Sequence, residues 1–226
     1  MLFDPASPTG YELDNLDSLS SHGFTGVRIN AALFGVNGVP PISQHDGLAR
    51  MIKRCGVLGY PVSLLAMKGY HTVHSDFLHL LTTSPNTKFL IDHYGFNKLN
   101  TPSGDKGFAQ MLTTALDSGN IGVKASAGFR IRRDVPYGVD PSVKWTGGMW
   151  DEFYDELEGE RLEPAFRTLG GGRVMWGTDW PWVNEGQGMG VEEVSVGGRR
   201  GNTVGFVNSL LLCRVLTHTT SLTAGG

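Results

Sequence analysis

The sequence predicts an α/β fold that is built on a parallel β-sheet. Strand and helix patterns alternate between residues 11 and 181, as a chain of β/α units requires. The predicted strands are short continuous apolar runs, which is typical of a parallel sheet that is buried on both faces. A doubly wound sheet and a barrel both fit this order of elements, and periodicity alone does not distinguish them.

The elements follow one another in a regular order after a weak helical stripe at residues 12–21. Each predicted strand is a short apolar segment between turns, and these segments are 26–30, 61–66, 88–93, 121–126 and 173–177. The helices between them place apolar side chains on one face at i, i+3 and i+4 spacing, and they are 45–58, 75–82, 105–118 and 150–169. Ser43 is the predicted N-cap of the first of these helices, and Pro164 is predicted to kink or split the last one.

The composition is that of an ordinary globular protein of 226 residues, with 40% hydrophobic and 18% charged residues. The net charge of −3 and the absence of a basic stripe argue against nucleic-acid binding. Of the two cysteines, Cys55 lies on the apolar face of a predicted helix and is expected to be a buried, reduced thiol. No long apolar run and no signal peptide are found, so we expect a cytoplasmic protein that does not enter a membrane.

Residues 1–185 are predicted to form the folded domain, and residues 186–226 a divergent glycine-rich tail. The tail interrupts the alternation of strands and helices. Its apolar stretch from Phe206 to Leu216 is consistent with one docking helix, and its ends are expected to be disordered.

Two polar side chains stand where predicted strands end. His93 closes the strand 88–93, and Asp179 follows the strand 173–177. The carboxyl ends of parallel strands meet at one edge of the sheet, where α/β proteins place their sites. A neutral imidazole suits zinc, and a carboxylate can bind a metal or act as a general base. Each residue alone also suits a structural role, but together they predict half of a site that needs about three protein ligands.

Three cationic side chains lie in or after predicted strands. Arg28 lies inside the strand 26–30, where a guanidinium needs a partner, so an internal ion pair and an anionic substrate are both open. Arg130 follows the strand 121–126 and could clamp a carboxylate through two parallel hydrogen bonds, with an internal ion pair again the alternative. Lys124 alternates with apolar residues and is expected to point inward.

Four segments resemble the amidohydrolase-related family of metal-dependent hydrolases, in order and at plausible spacings. They run from Gly23 to Asn30, from Phe89 to Gly95, from Val123 to Ser126 and from Arg173 to Pro181. The last segment, which contains Trp-Gly-Thr-Asp-Trp-Pro, is the most specific, and the resemblance extends over about residues 3–183. The family includes pyrone-dicarboxylate lactonases, other lactone hydrolases and non-oxidative decarboxylases.

The resemblance implies a (β/α)8 barrel with a divalent metal ion, expected to be zinc, at the carboxyl ends of its strands. In the family the metal is held by a His-x-His pair on the first strand, a later strand-end histidine and an aspartate after the last strand. The resemblance places the later histidine at His93. It places the aspartate, which also takes a proton from the attacking water, at Asp179. Arg28 and Arg130 are the corresponding candidates for binding a substrate carboxylate.

The sequence departs from the family pattern in its first part. It contains no His-x-His, and counting back from Asp179 makes the predicted strands the last five of the barrel. Residues 2–5 then correspond to the end of the third strand, so the first two strands and most of the third are missing. We therefore expect an incomplete barrel whose sheet has two open edges.

The resemblance implies hydrolysis of a lactone or a similar C–O or C–N bond in a small carboxylate-bearing substrate. Non-oxidative decarboxylation on the same scaffold is the alternative activity. The alternative of a different class is a catalytically inactive fragment, because the His-x-His ligands are absent. The sequence has no dinucleotide-binding motif, no Walker loop and no Gly-x-Ser-x-Gly, so nucleotide-dependent and serine-hydrolase chemistry lack support.

Overall fold

The computed structural model describes residues 3–6, 16, 18, 21, 23, 26–131, 152 and 155–176. In this part of the chain five strands form one parallel sheet, and they are β1 Val27–Asn30, β2 Val62–Leu65, β3 Phe89–Ile91, β4 Ile121–Ala125 and β5 Val174–Trp176. Every strand pairs with the next one along the chain, in the order β1-β2-β3-β4-β5. The predicted tail lies outside the described residues, as does most of the helix predicted at 12–21.

The helices that connect the strands are α1 Asp46–Leu58, α2 His74–Thr83, α3 Pro102–Ser118 and α4 Glu163–Leu169. Pro164 lies in the first turn of α4, directly after a π-helical turn at Glu158–Leu162. Proline has no N–H to donate to the carbonyl four residues before it, so the α-helical hydrogen bonding gives way to the π-helical turn there. The backbone nevertheless stays helical from residue 155 to residue 169, so the stretch is not split. In the described ranges no helix is long and apolar enough to cross a membrane.

The prediction that the strands are buried on both faces is wrong. Alternate strand residues are fully buried and share one hydrophobic core with the helices, among them Val27, Ile29, Val62, Leu64, Ile91 and Val123. The residues between them are only half buried and form what we call the inner face, which consists of Arg28, Asn30, Ser63, Leu65, Leu90, Gly122 and Lys124. Strands that pair in chain order through right-handed crossovers place all helices on one side, so only that side is sealed.

Residues 3–6 lie beside the edge of β1. The Phe3 amide donates a hydrogen bond to the Arg28 carbonyl over 2.9 Å, and the Phe3 ring is buried against Phe34. This backbone hydrogen bond places residues 3–6 beside β1, the position expected for the end of a preceding strand, although no strand is formed there. The chain therefore covers part of one edge that the sheet would otherwise expose.

A histidine, and not the predicted Ser43, caps α1. His45 Nδ1 accepts a hydrogen bond from the Leu48 amide over 3.1 Å, and its Nε2 lies 3.1 Å from the Pro5 carbonyl oxygen. Since Nδ1 accepts, Nε2 carries the proton and donates to Pro5, which ties residues 3–6 to the helix. The prediction for Ser43 is wrong because its hydroxyl donates to the carboxylate of Asp76 in α2.

Replacing His45 separates its two roles. We expect His45→Ala to lower the free energy of unfolding by about 1–2 kcal/mol, because it removes the cap and the tie to Pro5. His45→Asn is expected to recover about half of this loss, since asparagine is a good N-cap but cannot reach Pro5. Urea denaturation of the three proteins measures the difference. An Asn variant no more stable than the Ala variant would show that the ring acts only by packing against Phe3 and Phe34.

Candidate active site

His93 lies just beyond the carboxyl end of β3, on an unusual turn. The turn His93–Phe96 has positive φ at four successive residues, with φ of 54° at His93, 52° at Tyr94, 67° at Gly95 and 51° at Phe96. Only glycine adopts this left-handed conformation without a cost, which is about 1–2 kcal/mol for each other residue. Strain of this kind persists where the surrounding structure enforces it, and it concentrates at functional sites. The turn decides where the His93 ring points.

The His93 ring is buried, with 2% of the residue exposed. Its Nδ1 lies 2.7 Å from the Ser126 hydroxyl oxygen at the end of β4, and its ring meets the edge of Phe96 at 5.2 Å between centroids. Burial is the largest cause that lowers the pKa of His93 to about 3, and the nearby positive charges of Lys124, Arg28 and Arg130 contribute to this decrease in that order. His93 is therefore a neutral imidazole at physiological pH, which is the form that binds metals.

Asp92, the residue before His93, is the partner of Arg28. Its Oδ2 accepts a hydrogen bond from the Ser63 hydroxyl over 2.6 Å and forms an ion pair with Arg28 Nε at 3.0 Å. Only 1% of the Asp92 side chain is exposed, against 39% for Arg28, and Asp92 Oδ1 is buried without a hydrogen-bond partner in the described part of the protein. The structure thus shows the ion-pair role that the sequence left open for Arg28, and this pair joins β1, β2 and β3.

Two further cations approach the same end of the sheet. Arg130 lies in the turn Gly128–Ile131 after β4, and its carbonyl oxygen accepts a hydrogen bond from Lys98 Nζ over 3.0 Å. Lys124 is half buried on the inner face. Because Ile91 pairs with Val123, Lys124 lies level with Asp92 in the neighbouring strand. The structure therefore brings Arg28, Lys124 and Arg130 together around His93, as their joint effect on its pKa shows.

The second predicted metal ligand, Asp179, lies outside the described residues. Within the described residues, no group of three or more His, Cys, Asp or Glu side chains is arranged to hold a metal ion. His93 is a ligand-type residue at this end of the sheet, and the role of Asp179 stays a prediction.

Sequence reasoning did not assign three residues that shape this site, which are Ser63, Asp92 and Ser126. Asp92 had a recognisable signal, since it directly precedes His93, and Lys124 lies on the inner face as strand alternation predicted. Ser63 and Ser126 had none, because an isolated serine near a strand end is common. Their roles became visible only when the sheet placed them beside Asp92 and His93.

Comparisons with known proteins place these features in a family context. A family model described as Amidohydrolase matches residues 8–192. No relative matches among curated proteins.

Two crystal structures of an amidohydrolase from Burkholderia multivorans are similar to this chain. The one with bound HEPES has a TM-score of 0.56 and the one with bound zinc a TM-score of 0.54, each at 15% sequence identity. Both matches cover 80% of this chain and 58% of that protein, so the chain spans little more than half the length of these relatives. At this identity the likeness shows the fold alone: the described strands and helices form part of a (β/α)8 barrel.

Proposed function

Because the chain belongs to the amidohydrolase family, we propose that it serves metal-dependent hydrolysis of a small carboxylate-bearing substrate, with a lactone or a similar C–O or C–N bond as the scissile group. The carboxyl ends of the strands are where barrel enzymes carry out their chemistry. His93 lies at that end of the sheet, together with the cations around it.

The observation that carries this proposal is the state of His93. A surface histidine would be partly protonated near neutral pH, whereas burial keeps this imidazole neutral. Its Nδ1 is engaged by the Ser126 hydroxyl, which fixes the orientation of the ring. Metal-binding histidines usually have such a partner on the second ring nitrogen. The donor chemistry of His93 therefore fits a zinc ligand.

Zinc is the ion proposed because imidazole and carboxylate are its common ligands and because the similar B. multivorans protein binds it. His93 and Asp179 would hold the ion, and the remaining ligands would come from outside the described residues. When bound, a divalent ion supplies Lewis-acid activation of the scissile carbonyl. The cations near His93 favour an anionic substrate, since Lys124 lies there without an ion pair among the described residues while Arg28 is paired with Asp92.

The chain's own residues have separate roles in this proposal. Asp179 takes a proton from the attacking water as a general base. Arg28 and Arg130 attract and bind the substrate carboxylate, and Asp92 and Ser63 keep the Arg28 side chain in place. Ser126 orients His93.

The proposal is tested with the purified chain, zinc and a panel of carboxylate-bearing lactones. We expect ring opening, and Asp179→Asn is expected to lower kcat/KM by at least about 100-fold, the usual contribution of a general base. Asp117→Asn, on an exposed position of α3, is the matched control and should keep full activity. Zinc content measured by mass spectrometry should fall in His93→Asn.

Three outcomes would contradict parts of the proposal. Release of CO2 without ring opening would favour the decarboxylase alternative. If neither ring opening nor CO2 release is detected and the chain binds no zinc, the inactive-fragment alternative would be favoured. An Asp179→Asn variant as active as the wild-type chain would remove Asp179 from the mechanism.

A further inference from the structure

We propose that Lys124 also binds the substrate carboxylate directly, in addition to the two arginines. Lys124 is neither one of the predicted ligands nor one of the two predicted arginines. The inference rests on the proposed function, because it assumes that an anionic molecule occupies the inner face beside His93. It is argued from position, partners and charge.

The position of Lys124 is set by the register of β4. Lys124 alternates with the buried Val123 and Ala125, so it lies on the inner face and not in the core. It pairs in register with Met175 of β5 and is level with Asp92 after β3. Its side chain is therefore half buried inside the incomplete barrel, next to the end of the sheet where His93 lies.

The positive charge of Lys124 is not neutralised by the nearby carboxylate, because that carboxylate is paired with other residues. Asp92 is the buried carboxylate of this region, and its Oδ2 is taken by Arg28 and Ser63. Over the described ranges, Lys124 has no ion pair and no side-chain hydrogen bond. A half-buried ammonium without a partner is unfavourable, because it loses part of its hydration and gains nothing in return. A bound anion would supply the missing partner.

The charges around His93 point to the same ligand chemistry. Three cations act on its pKa, and Lys124 is the one with the largest effect. Arg28 is already paired with Asp92, whereas Lys124 has no ion pair among the described residues. An ammonium that approaches a carboxylate in a partly desolvated site forms a charge-assisted hydrogen bond, which is among the stronger contacts available.

Lys124 also limits the size of the substrate. Ser126, whose hydroxyl contacts His93, follows Lys124 by two residues, which is about 7 Å in an extended strand. A carboxylate at Lys124 and a reacting carbonyl beside His93 would thus be separated by only a few bonds. The inferred substrate class is a compact molecule that carries its carboxylate close to the bond to be cleaved.

A direct measurement of ligand binding tests the role of Lys124 and does not require the protein to be catalytically active. Isothermal titration of the full chain uses malonate as the probe and malonamide as its uncharged control. We expect malonate to bind and malonamide not to bind. Lys124→Met should raise the Kd for malonate by about tenfold or more, which corresponds to the loss of one charge-assisted hydrogen bond. Lys124→Arg should keep most of the affinity. Lys88→Met removes an exposed charge just before β3, at the opposite end of the sheet, and should change nothing.

The folded state of the variant is checked by its Tm. We expect the Tm of Lys124→Met not to fall, because the substitution removes a charge that has no partner. Should this variant fail to fold, Lys124→Gln, which keeps a polar side chain, takes its place. Unchanged malonate binding in the folded variant, an equal loss in Lys88→Met, or no binding of malonate to the wild-type chain would each overturn the inference.

The outcome is separable from that of the proposed function. Lys124-dependent malonate binding by a chain that hydrolyses nothing would support this inference and overturn the proposed activity. If the wild-type chain and Lys124→Met hydrolyse the substrate with the same KM, the proposed activity would be supported and this inference would be overturned.

Discussion

The metal-free protein is expected to lose about 2 kcal/mol of its free energy of unfolding between pH 7.5 and pH 5 through His93 alone, and about 3 kcal/mol by pH 4. The cause is the burial of this imidazole, which lowers its pKa to about 3 from an ordinary value of 6.5. The unfolded chain takes up a proton at this residue as the pH falls through 6.5, whereas the folded chain does not.

The sign and the range of pH follow from these two values. Stability changes with pH in proportion to the difference in bound protons between the unfolded and folded states. Between pH 6.5 and about 3 the unfolded state binds more protons at His93, so stability falls as the solution becomes more acidic. Above pH 6.5 the imidazole is neutral in both states and contributes no pH dependence.

The measurement is urea denaturation at several pH values in the presence of EDTA, for the wild-type chain and His93→Asn. Asparagine is the matched replacement, because it tolerates the positive φ of 54° at this position better than alanine does. The difference in unfolding free energy between the two proteins isolates the contribution of His93. A difference that does not vary between pH 7.5 and pH 4 would show that the ring is accessible to water and protonated in the folded state.

Arg28→Met is expected to lower the free energy of unfolding by about 2–3 kcal/mol, which is a large fraction of the stability of a domain. The substitution leaves the fully buried Asp92 carboxylate with the Ser63 hydroxyl as its remaining donor. Loss of one partner from a completely buried ion pair costs about 3–5 kcal/mol. We expect less here because 39% of the Arg28 side chain is exposed, so water screens the interaction.

A double-mutant cycle checks this prediction. Asp92→Asn removes the buried charge while it keeps a side chain of nearly the same shape. The double variant, Arg28→Met with Asp92→Asn, should therefore be more stable than Arg28→Met alone. Lys53→Met, at an exposed position of α1, is a control for removal of a surface cation. Effects of Arg28→Met and Asp92→Asn that simply add would show that the pair does not couple the strands.

The sequence was sufficient for the elements and for the position of His93. The strands and helices follow local patterns of apolar residues, and those patterns survive in the structure because every strand pairs with its neighbour in the chain. His93 was predictable because a polar residue directly after a buried strand must lie at the edge of the sheet. The Cys55 prediction was confirmed for a similar reason, since its helix turns it into the core.

Other features depend on contacts between distant residues. The pairing of Arg28 with Asp92 requires the register of three strands, and the His45 cap of α1 is held from its other ring nitrogen by Pro5, forty residues away in the sequence. The left-handed turn after β3 opposes the intrinsic preference of its residues, so no local pattern predicts it. The half-buried inner face was missed because apolar runs do not reveal on which side the helices lie.

The order of the sheet has a consequence for how the chain acquires its structure during synthesis. Since each of the five described strands pairs only with the strands next to it in sequence, no pairing among them has to wait for a distant part of the chain. Every new β/α unit can dock on the one that has just left the ribosome, and the closure of each loop involves only a short segment. The nascent chain is thus expected to gain protection from proteolysis in steps, one for each strand that emerges, and not in a single late event.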